Sequence, residues 1–269
     1  MTIAARTPRF PILMYHSISH SENPRFRRFT VTPARFEEQL DYLTTHGYTP
    51  LTVSDYVQRI ADDRQLPPRP VVLTFDDGYA DFYTAALPLL QKYQATATLY
   101  IVTGYIGETS RWMRREGEAD RAILNWSQIR EIASSGIECG AHTHTHRALD
   151  ALAAADCRQE IETSQRVLAE KIDAPRSFAY PFGFYSHAVH SLVREVGFTS
   201  ACAVRYAQSS RHDDRFALSR LIVTANTDLP SFERLLLSGG RGPEAAYLRL
   251  RSAAWGRVRR SRQRLRFLA

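Results

Sequence analysis

Apolar runs and helical spacings alternate along this chain from Pro11 to Leu237. Residues 11–16 (PILMYH) form a short buried-strand pattern that ends on a polar residue. Residues 32–47 predict a helix: Thr32 is a candidate N-cap, Pro33 sits just inside, Phe36, Leu40 and Leu43 recur at helical spacing, and Gly47 stops it. Residues 50–60 read as a short strand entering a second helix. Residues 70–75 (PVVLTF) are a continuous apolar, β-branched run, the mark of a strand covered on both faces. The alternation repeats, with helices over 80–93, 127–135, 154–171, 187–196 and 231–237. Strands are expected over 97–102, 137–142, 177–180, 200–204 and 219–223. Such alternation predicts parallel β/α units, either a barrel or a doubly wound sheet, with functional side chains at the C-terminal ends of the strands.

Three polar clusters directly follow apolar strands: Asp76-Asp77, His142 to His146, and Tyr180-Pro181-Phe182-Gly183. In TFDDGY (74–79) two carboxylates meet at a strand end and Gly78 permits a tight exit. Adjacent carboxylates raise each other's pKa unless a cation intervenes. A metal would let one ligate while the other stays available as a base; an Asx-turn closing the loop is the plain alternative. HTHTH (142–146) supplies histidines at i and i+4, a metal-ligand spacing expected on one face of a helical turn. With Asp77, His142 and His146 make a two-His, one-carboxylate set that leaves positions open for water and substrate. His144 is expected to point elsewhere.

Composition narrows the setting. Of 269 residues, 44% are hydrophobic, enough to bury a sizeable core, and no apolar run is long enough to cross a bilayer. Residues 1–11 carry Arg6 and Arg9 without a long apolar stretch, and Cys139, Cys157 and Cys202 show no paired spacing; both features predict a cytoplasmic chain. The net charge of +7 is local: residues 241–269 hold nine Arg and one acid, for +8, which leaves −1 for the remainder. A docking face for nucleic acid is therefore not expected. We divide the chain into a catalytic domain, 1–240, and a basic tail, 241–269. In the tail Tyr247, Leu250, Ala254, Val258, Leu265 and Leu268 recur at helical spacing. That pattern suits peripheral contact with an anionic membrane surface, and equally a helix packed on its own domain or a solvated tail. Nothing in the pattern fixes an oligomeric state.

TFDDGY, HTHTH 65 residues after Asp77, and SFAYPFG (177–183) resemble the first three motifs of the polysaccharide deacetylase family (the NodB homology domain, carbohydrate esterase family 4). The likeness spans residues 11–237. It implies a distorted (β/α)7 barrel and a metal-dependent hydrolase, most often with Zn²⁺, that removes acetyl groups from an acylated saccharide. Under the resemblance Asp76 falls on the general base and Asp77, His142 and His146 on the metal ligands. Thr143 falls on a loop buttress and the Tyr180 N–H on the oxyanion donor. Two departures stand out. Ala179 occupies the place of a base-orienting Arg, and no histidine follows His212 to supply the usual late acid. Both are similar to the subgroup of poly-N-acetylglucosamine deacetylases, in which an early YH sequence gives the acid; here that is Tyr15-His16. A strand-end histidine bonded to backbone is the alternative for His16. Arg220 is a candidate replacement for the orienting Arg, or an ordinary ion pair. Trp126, Phe182 and Tyr79, together with Trp112, Tyr105 and Phe184, are candidate sugar contacts that core packing would equally explain. The same site acting on a non-carbohydrate amide, and a carbohydrate-binding pseudoenzyme, are the competing functions.

Overall fold

The computed structural model describes residues 9–20 and 23–239; the expectations for residues 1–8 and for the tail at 241–269 fall outside these. Eight strands form one sheet: β1 (Ile12–Tyr15), β2 (Thr49–Leu51), β3 (Pro70–Phe75), β4 (Thr98–Ile101), β5 (Glu138–Ala141), β6 (Ser177–Ala179), β7 (Ser200–Cys202) and β8 (Leu221–Ile222). The order is β7-β6-β5-β4-β3-β1-β8, every pairing is parallel, and β2 lies beside the first half of β3. The sheet curls until Cys202 bridges to Leu218, just ahead of β8. Of the two architectures that the alternation allowed, a barrel and a doubly wound sheet, this is the barrel that the resemblance implied.

Among the described residues six α-helices separate strands and a seventh follows the last: α1 (Pro33–Thr45), α2 (Val53–Ala61), α3 (Leu87–Lys92), α4 (Trp126–Ser134), α5 (Ala154–Ala169), α6 (His187–Val196) and, after β8, α7 (Leu229–Ser238). Most begin at a side-chain cap. Thr32, Thr52, Ser186 and Asp228 each accept a backbone N–H of the first turn, and Asn125 with Gln128 forms a reciprocal capping box. The helix expected over 80–93 is instead a widened π-type turn, Phe82–Ala86, leading into α3. Pro88 accounts for the break, since it has no N–H to return to the preceding turn. Among the described residues no helix is long and apolar enough to cross a membrane.

Strand periodicity decides which side chains reach the interior. Leu13, Leu73, Phe75, Leu99, Ile101 and Phe178 pack outward against the helices. Ile12, Val72, Tyr100, Ala179 and Cys202 form a separate cluster inside the curl. Thr74 and Asp76 share the parity of Val72, so β3 delivers Asp76 into the barrel at its C-terminal end.

Candidate active site

Asp76 continues the sheet, its N–H donating to the Tyr15 carbonyl at 3.0 Å. Asp77 and Gly78 then both adopt left-handed φ, 79° and 73°. This reversal brings the Asp77 carboxylate round to the side that alternation gives Asp76. His142 follows β5, and its Nδ1 lies 2.7 Å from the Ala179 carbonyl. A carbonyl only accepts, so Nδ1 carries the proton and Nε2 presents its lone pair. The spacing of His142 and His146 does not arise from a helical turn as expected. It is an irregular loop with Thr143 at φ 66° and His146 at φ 59°, in which Thr143 Oγ1 accepts the His146 N–H at 3.0 Å.

Asp77 Oδ1 lies 3.5 Å from His142 Nε2 and 3.2 Å from His146 Nε2. One ligand atom from each of the three buried residues falls within 4.8 Å of the others. Asp77 Oδ1 forms no well-shaped hydrogen bond despite its burial. An orphaned carboxylate oxygen facing two imidazole nitrogens fits a divalent cation and has no other partner here. The electrostatics agree. Burial pushes the His142 imidazole down to about 4, against the pull of the Asp76 charge, so it is a neutral ligand at neutral pH. Burial works to raise Asp77, but the nearby His146 charge outweighs it and holds the carboxyl below its usual range.

Asp76, 3% exposed, is gripped by Arg220, itself fully buried: Nη1 to Oδ1 is 2.6 Å and Nη2 to Oδ2 is 2.8 Å. Arg220 also donates to Thr74 Oγ1 at 3.2 Å. Burial would raise the Asp76 pKa, and the Arg220 charge lowers it instead. A guanidinium from the residue just before β8 thus fixes both oxygens of Asp76. His16 leaves β1 toward the same centre, its ring 4.8 Å from Phe29 and its Nδ1 buried without a partner. Burial lowers its pKa, while the charges of Asp77 and Asp76 draw it back up.

Two expected site residues are corrected. The Tyr180 N–H donates to the Cys202 carbonyl at 3.1 Å, a parallel-sheet bond, and is not free to receive an oxyanion. The Tyr180 hydroxyl is likewise committed, to the Phe216 carbonyl at 3.0 Å. Two residues on, the Phe182 N–H has no acceptor among the described residues, a free donor that the motif alone does not reveal. Tyr79 is fully buried with Phe26 and Ile123, which denies its ring to a sugar. Trp126, half-buried, packs on the main core. Phe182 is 54% exposed, its ring 4.9 Å from His146, and Trp112 lies 5.4 Å from the same imidazole. Gly183 is obligatory beside them, because a Cβ there would stand 2.5 Å from Val204.

A parallel barrel with two histidines and paired aspartates at its strand ends presents the donor set that a metal-dependent hydrolase uses. Residues 63–201 match the polysaccharide deacetylase family model, and the chain belongs to that family. It is similar to the protein YxkH of Bacillus subtilis (strain 168), 28% identical over 217 residues, which cover 80% of this chain and 72% of the relative. It is also similar to the poly-beta-1,6-N-acetyl-D-glucosamine N-deacetylase of Escherichia coli (strain K12). That match is 24% identical and covers 85% of this chain, but only 38% of the length of that relative. Among solved structures, the deacetylase PplD of Streptococcus pyogenes superposes with a TM-score of 0.74 at 24% identity, covering 86% of this chain and 99% of that one. The protein is therefore a metal-dependent carbohydrate deacetylase with the barrel of its family.

Proposed function

We propose that this enzyme hydrolyses N-acetyl groups on a poly-N-acetylglucosamine-type glycan during exopolysaccharide assembly, using Zn²⁺ held by Asp77, His142 and His146. The observation that carries the reading is the buried Asp77, His142 and His146 cluster standing beside an aspartate locked by Arg220. Two imidazoles and a carboxylate suit Zn²⁺, with coordination positions left for water and substrate. Zn²⁺ would polarise the acyl carbonyl and acidify water. Asp76, held ionised and fixed in orientation by Arg220, accepts the proton of the attacking water. The free N–H of Phe182 receives the carbonyl oxygen as negative charge develops on it, a donor worth about 3 kcal/mol in such sites. His16 passes a proton to the departing amine as the C–N bond breaks, releasing acetate. Phe182 and Trp112, on the rim beside His146, give sugar rings an apolar surface. The similarity to relatives named as poly-beta-1,6-N-acetyl-D-glucosamine N-deacetylases supports the substrate class. We place the enzyme in the cytoplasm, with segment 241–269 as a peripheral contact to anionic lipid. A truncation to 1–240 that binds anionic vesicles as well as the full chain would remove that contact.

The test is acetate release from β-1,6-linked N-acetylglucosamine oligomers by the Zn²⁺-loaded protein. Asp76→Asn should keep its metal and lose turnover. Absence of acetate from every N-acetylated saccharide tried, or full activity in Asp77→Ala, would overturn the proposal.

A further inference from the structure

The buried face of α5 consists of Cys157, Glu160, Ile161, Ser164 and Leu168, a single stripe at helical spacing. Glu160 is out of place in that stripe. It is 6% exposed, and no arginine, lysine or histidine pairs with it among the described residues. A buried, unpaired carboxylate is costly unless other donors replace water. All three of its donors come from one stretch of chain. Oε2 accepts the N–H of His144 at 3.0 Å and of Thr145 at 2.8 Å, and Oε1 accepts the Thr145 hydroxyl. These are the two residues immediately before His146, between the two imidazoles that face Asp77.

That loop needs holding. Thr143 is β-branched and sits at φ 66°, a region such residues avoid, and His146 sits at φ 59°. The opposite side of the loop is tied to the turn after β4, where Thr103 N–H donates to the Thr143 carbonyl at 3.2 Å and Gly104 N–H to the His144 carbonyl at 2.7 Å. Those bonds fix the carbonyls; Glu160 fixes the N–H groups. Gly104 permits the close approach, since a Cβ there would stand 2.6 Å from the His144 oxygen.

We infer that Glu160 is a positioning residue of the metal site: its carboxylate clamps the strained 143–146 loop so that His146 Nε2 meets Asp77 and His142 before any cation arrives. The inference rests on the metal reading above and deepens it. The role is geometric: the carboxylate reaches the ligands only through the loop backbone and the Thr145 hydroxyl. Glu160→Gln can keep all three contacts, its amide oxygen accepting both N–H groups and its NH₂ donating to Thr145 Oγ1. Glu160→Asp keeps the charge and withdraws it by one methylene.

The experiment measures Zn²⁺ affinity by competition with a chromophoric chelator, alongside thermal melting of the metal-free proteins. Wild type, Glu160→Gln, Glu160→Asp, Glu160→Ala and Asp77→Ala are compared. Mispositioning of a ligand by loss of its support weakens binding about 10–100-fold. We expect that loss in the Asp and Ala variants at temperatures where both are folded, and rescue to within about 3-fold of wild type by Gln, the loss being the support effect just given. Should the Ala variant not fold, Asp against Gln decides. Wild-type affinity in folded Glu160→Asp, with lowered melting only, makes Glu160 a fold element and overturns the inference. Wild-type affinity in Asp77→Ala overturns the metal reading itself, a separate failure.

Discussion

Arg220 and Asp76 are joined by a two-pronged ion pair, Nη1 to Oδ1 at 2.6 Å and Nη2 to Oδ2 at 2.8 Å, although they lie 144 residues apart. Breaking a buried pair on one side leaves a charge uncompensated, at about 3–5 kcal/mol. Arg220→Lys supplies a point charge that cannot grip both oxygens. Since Arg220 lowers the Asp76 pKa, its loss raises it. The base role proposed for Asp76 requires an ionised carboxylate, so the acid limb of the kcat/KM profile should move to higher pH in Arg220→Lys. A limb that stays put, or moves to lower pH, removes Arg220 from the tuning of Asp76.

The resemblance offered Arg220 as a candidate to orient Asp76, with an ordinary ion pair as the alternative, and the sequence alone could not choose between them. SRLIV carries no local signal that its arginine faces inward, because that depends on the pairing of β8 with β1 and on the parity of Asp76 along β3. The strands and most helices were legible, since apolar runs, caps and glycine stops are local. The Asp77, His142 and His146 set was legible for the same reason, each residue following a recognisable strand. Backbone commitments were not. The Tyr180 N–H is spent on Cys202 only because β6 pairs with β7 in that register. The histidine loop escapes the helical expectation because contacts from Thr103 and Gly104 sustain left-handed residues that local propensity disfavours. Tyr79 is buried because a segment remote in sequence, around Ile123, pairs back over it.

Metal removal should be visible in stability as well as in activity. A cation bound by the folded state alone, at about 100 times its dissociation constant, contributes about 2.7 kcal/mol. Adding Zn²⁺ to chelator-stripped protein should therefore raise the melting temperature, and Asp77→Ala should abolish the increment. An equal rise in Asp77→Ala would place the cation elsewhere.

The cysteines make a separate test of the barrel. Cys139, Cys157 and Cys202 are all buried and free. Burial pushes the Cys139 thiol up to about 12 and the Cys202 thiol up to about 11. Thiolate is the reactive form. At pH 8 the native protein should thus label negligibly with a water-soluble thiol reagent, and all 3 cysteines should label in denaturant. Both raised thiols also predict alkaline weakening. The unfolded chain releases these protons near pH 9, the folded chain only near 11 to 12, so the stability they contribute is complete below pH 9 and falls above it. Rapid labelling of native protein at pH 8 would mean the interior opens readily.

Phe182 sets function against stability at one position. Its φ of 61° is strained for any side chain, and its ring is 54% exposed beside His146. Glycine relieves the backbone strain, worth about 1–3 kcal/mol, while giving up chain entropy of about 0.5–1 kcal/mol and a partly buried ring. Phe182→Gly should therefore be neutral or stabilising in thermal melts. The N–H at 182 survives the change, so kcat should hold better than KM. Loss of a stacking ring, about 0.5–1.5 kcal/mol, should raise KM for oligosaccharides by roughly 2- to 10-fold. A kcat loss with KM unchanged would instead assign Phe182 to the ordering of the 180–183 loop.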